Sequence, residues 1–415
     1  MSKCGNSYKW ILVALLSAAF FFHQADRALF GLLTVPIQSD LGLTDVQVGW
    51  INTTLSWTLS LMTVVAGFVG DRCSRKWIIT ISLIAWSLMT VCMGFVGGFV
   101  GALFFRSVAT GVGESFYAPS AYALIAAHHR ESRSRALSIH QAALYVGLMA
   151  SGVLVAWALG WLGGWRHVFI AFGLAGTLLG VLFIFALRDE PAASVSVPSP
   201  RSQTSIWEGV SSYFRNPSAL CATAGFVAIV FVNNAYLFWA PKFAALKFSL
   251  DVGAAGRGVM LWHHLFAFAA ILAGGILTDR FVGQFPRFRL GFQIVALLLG
   301  APMLYWLGAA SSFAAMLVAA SAYGVFRGFF EVNTHASLFD VVLPNHRSTA
   351  VGLLTMTAFF FGGLSGIAMG ALSERYGVRG FELGFSLMGV IYALAAGLMM
   401  VSFFFTFKKN RVVEQ

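Results

Sequence analysis

Twelve apolar runs follow one another along this chain, each close to the 20 or so residues that a helix needs to cross the hydrocarbon core of a bilayer. They lie near residues 10–33, 47–70, 77–97, 99–127, 136–161, 166–187, 218–241, 256–278, 289–309, 312–340, 349–372 and 382–407. Inside lipid, backbone N–H and C=O groups find no water, so a spanning segment must satisfy them itself. Runs of this length do so as helices. The expected fold class is an all-α membrane protein with twelve transmembrane helices. Composition agrees: 58% of the 415 residues are hydrophobic and only 10% are charged, against about 25% charged in an ordinary soluble domain. That balance excludes a disordered chain or a disulfide scaffold and argues against almost any soluble enzyme.

One stretch interrupts the rhythm. Residues 188–217 hold Pro191, Pro198 and Pro200, several serines and mixed charge. Such a segment reads as a linker. The expected organisation is a six-helix bundle over 1–187, a cytosolic linker over 188–217 and a second six-helix bundle over 218–415. The first run, Trp10–Leu33, is too long for the core of a signal peptide and has no small-residue cleavage site after it, so it is the first span.

Net charge is +11. In a soluble domain this would suggest nucleic acid as a partner; here the basic residues cluster between spans, and no nucleic-acid partner is expected. With the N-terminus inside, eighteen lysines and arginines fall on the cytosolic side, against six outside, Lys242 and Lys247 among the six. This asymmetry places both termini in the cytosol of a cell-membrane protein. The four cysteines show no paired spacing. Neither a phosphate-binding glycine loop nor metal-ligand spacing occurs in suitable context, so no cofactor or metal is expected.

The two halves echo each other. Gly67-Phe68-Val69-Gly70-Asp71-Arg72-Cys73-Ser74-Arg75-Lys76 follows the second run, and Gly275-Ile276-Leu277-Thr278-Asp279-Arg280 follows the eighth. Weak internal symmetry of this kind marks transporters built from repeats. The first segment resembles the G-x-L-x-D-R-x-G-R-R/K signature of the major facilitator superfamily, matched at Gly67, Asp71, Arg72, Arg75 and Lys76. Val69 and Ser74 depart from it. The resemblance implies two six-helix bundles that rock around a central site, with Asp71, Arg72, Arg75, Lys76, Asp279 and Arg280 as gating residues. A plain positive-inside cluster would account for the bases but not for Asp71 and its repeat at Asp279.

A narrower resemblance, to anion:cation symporters and spinster-type transporters, rests on four places. In span one, His23-Gln24-Ala25-Asp26-Arg27 resembles N-Y-x-D-R. In span four, Arg106 through Gly111-Val112-Gly113-Glu114 to Pro119 resembles R-x-x-x-G-x-G-E with a later proline. Here Arg106 precedes Glu114 by eight residues, where seven is usual, which on a regular helix turns Arg106 a further 100° or so. Leu237-Phe238-Trp239-Ala240-Pro241 and Asp340-Val341-Val342 resemble features of spans seven and ten.

Six ionisable residues lie deep in spans: Asp26, Arg27, Arg106, Glu114, Arg327 and Glu331. Each costs about 2.5–3.5 kcal/mol to insert, and function is the default explanation for such groups. Asp26, Glu114 and Glu331 are the expected proton-coupling acids. Arg27, Arg106 and Arg327 are the expected anion binders, since an arginine fork suits a carboxylate or phosphate and keeps its charge. The structural alternative pairs Asp26 with Arg27 and Glu114 with Arg106 as permanent bridges. Arg327 and Glu331, four apart on one helix face, can satisfy each other. His335, one turn on, reads as a satisfied interior histidine. Asn52, Gln141, Tyr145, Asn233, Asn234, Tyr236 and His263 are candidate cavity residues, although polar side chains also bind helices together.

The expected function is secondary active transport: proton-coupled symport of a small organic anion, such as a sugar acid, by a monomer. The rival is a spinster-like carrier of a lysolipid or similar amphiphile. An intramembrane enzyme is suggested only by Gly363-Leu364-Ser365-Gly366, which small-residue packing explains. A non-transporting sensor of the same fold is the other alternative; it should carry a soluble output domain.

Overall fold

The computed structural model describes residues 3–70, 72–129, 132–189 and 206–412, and all regular structure among them is helical. In the N-terminal half, α1 (Lys3–Leu32) turns at Leu33 into α2 (Thr34–Leu41). α3 (Asp45–Gly70) and α4 (Arg75–Met93) follow, the latter capped by the Ser74 hydroxyl. The fourth rod is composite: α5 (Phe99–Ala102), a π-helical segment Leu103–Ala109, α6 (Thr110–Ser115) and α7 (Tyr117–His128). α8 (Arg133–Leu162) and α9 (Trp165–Ala186) complete this half.

The C-terminal half repeats the scheme. α10 (Ile206–Phe214) is a short helix within the stretch read as a linker; residues 190–205 of that stretch lie outside the described residues. α11 (Pro217–Phe248), α12 (Val252–Val282) and α13 (Phe288–Ala309) are continuous. α14 (Phe313–Glu331) and α15 (Thr334–Phe339) form a broken rod, as do α16 (Arg347–Gly363) and α17 (Ser365–Tyr376). α18 (Val378–Val401) runs through a π segment, Ser402–Thr406, into α19 (Phe407–Asn410). Ten of these rods are long and apolar enough to span a bilayer by themselves. α3, 26 residues long, and the composite 99–128 rod complete the twelve.

Two compact units result. One takes Met1–Ser199 with Asp251–Met260, the other Pro200–Leu250 with Leu261–Gln415. Within each, glycines let backbones approach closely, as expected where lipid supplies no hydrophobic drive for helix association. A Cβ at Gly173 on α9 would stand 2.5 Å from the Ser87 carbonyl oxygen on α4. One at Gly308 on α13 would stand 2.5 Å from the Glu382 carbonyl oxygen on α18.

Breaks fall where polar groups can satisfy the freed backbone. After Glu331, the Phe330 carbonyl accepts from Gln293 Nε2 at 3.2 Å, and Asn333 Nδ2 donates to Thr278 Oγ1 at 3.1 Å. In the π segment of the fourth rod, the Phe105 carbonyl accepts from Thr110 Oγ1 at 2.7 Å.

Candidate functional site

In the N-terminal unit, α1 and the fourth rod bring four buried ionisable groups together. Arg106, 2% exposed, donates from Nη1 to Asp26 Oδ2 at 3.1 Å. Its Nη2 donates to the carbonyl oxygens of Asp26 at 3.0 Å and Arg27 at 3.1 Å. The other Asp26 oxygen accepts from Thr90 Oγ1 on α4 at 3.0 Å. The expected bridges, Asp26 with Arg27 and Glu114 with Arg106, are thereby replaced by a cross-helix pair, Asp26 with Arg106.

Glu114 is 2% exposed, and neither carboxylate oxygen has a hydrogen-bond partner. Arg106, Asp26 and Arg27 are all within electrostatic range of it. His23 Nε2 stands 3.7 Å from Oε2. Because Gln24 Nε2 donates to His23 Nδ1 at 2.9 Å, the neutral ring carries its proton on Nε2, the nitrogen facing Glu114. His23 itself lies among Phe20, Trp86 and Tyr117, with ring centroids 5.4–5.9 Å away. A cavity of about 10 Å³, roughly the room one water needs, touches Asp26, Thr90 and Gly173.

The π segment explains how Arg106 serves this cluster despite its spacing. A π turn closes i→i+5 bonds and accommodates one residue more than an α-turn. The one residue beyond a seven-position separation is absorbed there, and both Arg106 and Glu114 reach the neighbourhood of Asp26.

The C-terminal unit has its own cluster. Arg327 donates from Nε and Nη2 to Glu331 Oε1 at 3.0 and 2.8 Å. Its Nη1 meets His263 Nε2 at 3.1 Å, while His263 Nδ1 meets the Ala320 carbonyl at 3.0 Å. A carbonyl only accepts, so His263 is the neutral Nδ1–H tautomer and accepts from Arg327. Tyr236 and Tyr323 pack on the His263 ring at 4.3 and 4.8 Å. Glu114 and Glu331 occupy matching places, each in the last turn before its rod breaks.

Among the remaining candidates, Asn52 is buried with its Nδ2 unpartnered, Asn234 and Tyr145 are buried, and Asn233 is half-buried with Oδ1 unpartnered. Gln141 is exposed and accepts from Tyr122 at 2.8 Å. His335 is exposed on α15, with its ring 6.5 Å from that of Phe226. Of the gating residues, Gly67 lies on α3, and Arg72, Asp279 and Arg280 are exposed, while Arg75 and Lys76 are half-buried. Asp71 lies outside the described residues. No group of three or more His, Cys, Asp or Glu residues that could hold a metal is present among the described residues.

Three participants escape sequence reasoning. His23 and Thr90 look like ordinary span residues until α1, α4 and α6 are packed. Lys242, assigned to an external loop, is inside α11 and 8% exposed, its Nζ 5.6 Å from the Trp239 ring. α11 continues through Pro241, which a membrane helix tolerates.

Twelve membrane-spanning rods with buried charge clusters define a polytopic membrane protein. The chain belongs to the Major Facilitator Superfamily, whose family model matches residues 15–307. It is 24% identical over 394 residues to protein spinster of Drosophila melanogaster, covering 90% of this chain and 63% of that protein. It is also 24% identical over 300 residues to the probable galactarate/D-glucarate transporter GudP of Bacillus subtilis, covering 66% of this chain and 65% of that one. The chain thus spans less than two thirds of either relative's length. Among solved structures, a bacterial homolog to the human lysosomal transporter spinster, in an inward-facing and unoccupied conformation, superposes with a TM-score of 0.87 at 20% identity over all of both chains. At that identity the likeness concerns the fold.

Proposed function

We propose that the chain is a proton-coupled carrier of a small organic anion working by alternating access, with Glu114 as the proton carrier. The observation that carries this reading is a buried carboxylate without a hydrogen-bond partner, set beside an arginine-bound aspartate. Glu114 sits in a dry site beside guanidinium groups. A group so placed loads or releases a proton when water or an anion enters. Arg106, bound to Asp26 and two carbonyls, positions the acids; Arg27 is read as the anion ligand because a guanidinium fork suits a carboxylate. In the other unit Arg327 is held by Glu331 and His263, and an anion that displaced Glu331 would free it.

The sugar-acid class draws on the likeness to a probable galactarate/D-glucarate transporter. A charged amphiphile is the second reading, favoured by the longer likeness to spinster, 90% of this chain against 66%. We infer from the lysine and arginine asymmetry that both termini face the cytosol of the cell membrane.

The test is uptake into proteoliposomes under an imposed pH gradient, with D-glucarate and a lysophospholipid as parallel cargoes. The unmodified protein is expected to accumulate glucarate uphill. Glu114→Gln is expected to abolish accumulation while leaving exchange of labelled for unlabelled cargo. Uphill uptake by Glu114→Gln equal to the unmodified protein would remove Glu114 from coupling. Transport of the lysophospholipid alone would select the second reading.

A further inference from the structure

On the C-terminal unit, away from both charge clusters, a cavity of about 750 Å³ lies between the start of α13 and the end of the last span. One end is basic: Arg287, Lys408 and Arg411 line it. The rest is apolar, including Phe292, Val295 and Phe403. The Arg287 guanidinium lies 5.4 Å over the Phe403 ring, which holds it at the mouth. Gly291 keeps the floor low; a Cβ there would stand 3.2 Å from the Phe403 ring.

The cavity is drawn out along α13. Arg287 precedes the helix and Val295 lies seven residues into it, roughly 10 Å along the axis at 1.5 Å per residue. Charge therefore sits at the level of the span ends, where head groups lie, and the apolar part descends toward the hydrocarbon. Val295, 50% exposed, leaves the deep end open to the bilayer. Among the described residues, no acidic one lines the cavity. Asp340, which lies within electrostatic range of Arg411, is itself held by Arg289 at 2.8 Å.

From this juxtaposition we propose that the groove is a resident site for an acidic phospholipid of the surrounding membrane. Its phosphate is bound by Arg287, Lys408 and Arg411, and one acyl chain lies along Phe292 toward Val295. A soluble anion would leave the apolar length unused, and a zwitterionic lipid would leave three cations without a net counter-charge. Basic pockets between transmembrane helices bind acidic head groups in this way. The lipid would clamp the last span to α13.

The test is native mass spectrometry of the full chain, delipidated and titrated with phosphatidylglycerol or with phosphatidylcholine of the same acyl chains. Phosphatidylglycerol is expected to be retained in preference. Each cation removed is expected to weaken binding about fivefold, and Arg287→Gln, Lys408→Gln and Arg411→Gln together on the order of a hundredfold. Lys409→Gln removes the same charge from an exposed residue that does not line the groove; it is expected to leave binding within about twofold, because the charge is lost outside the pocket. Gly291→Leu, which fills the floor, is expected to weaken retention with every cation in place. Equal retention of the two lipids, equal loss with Lys409→Gln and Lys408→Gln, or displacement by free glycerol 3-phosphate at matched concentration would each overturn the assignment. The readout is binding, so it stands or falls independently of cargo and coupling.

Discussion

Arg106 spends its two terminal nitrogens on three acceptors, the Asp26 carboxylate and two carbonyls of α1. The choice of partner follows from helix geometry. Adjacent residues on a helix point in different directions, so Asp26 and Arg27 do not face each other. Arg106 and Glu114 are more than two turns apart on one rod, too far for a direct bridge. Asp26 therefore finds its cation on another helix, and Arg27 is half-buried beside it in sequence. A substrate anion at Arg27 would be gripped by a fork that lysine cannot reproduce. Arg27→Lys is accordingly expected to weaken anion affinity on the order of ten- to a hundredfold, the value of one or two charge-assisted hydrogen bonds. The check is KM for uptake beside a thermal-shift titration with the same anion; an unchanged KM would make Arg27 a structural residue.

Among elements, the fourth rod departs most from regularity, and its irregularity accompanies the contact of Arg106 with Asp26. A straight helix with a separation of eight positions from Arg106 to Glu114 would turn Arg106 away from Asp26. The π segment over Leu103–Ala109 restores the alignment. π-bulges are common at functional sites for this reason. Deleting Val108, an exposed residue of that segment, leaves a seven-residue separation that an ordinary α-helix accommodates. The deletion is expected to keep transport. Inserting an alanine after Val108 adds a second extra residue with no bulge to absorb it, rotates Arg106 by about 100°, and is expected to abolish transport. If deletion and insertion were equally damaging in the proteoliposome assay, the alignment account would fail. The matching break after Glu331 shows a related device at the other cluster: a rod is interrupted beside its acid, and Gln293 Nε2 donates to the Phe330 carbonyl there.

For the whole molecule, the two units carry unlike clusters. The N-terminal one leaves a carboxylate without a hydrogen-bond partner; the C-terminal one binds its acid within a single helix and adds a neutral histidine. In the proposed reading, proton handling therefore falls to the first unit. In the same reading the motif around Asp71, which resembles the gate of the superfamily, sets the balance between access states. A ligand or contact shifts such an equilibrium only by its unequal affinity for the two states. Asp71→Asn is expected to shift the balance, read as altered labelling of single cysteines placed at opposite ends of the spans. Identical labelling would leave Asp71 without a gating role.

Sequence by itself determined the twelve spans, because a bilayer imposes one length on every crossing helix and excludes other backbone solutions. It also determined which charged residues are exceptional, because six ionisable groups stand out against apolar runs. The Arg327–Glu331 pair was legible too, since a separation of four is a local property of one helix. Only tertiary structure decided that Asp26 pairs with Arg106, that His23 faces Glu114 and that Thr90 closes the cluster. Those contacts join separate helices whose neighbours and rotation no local pattern specifies. It also decided the place of Lys242, because Pro241 reads as a helix end in water but is carried through a membrane span when packing holds the freed carbonyls.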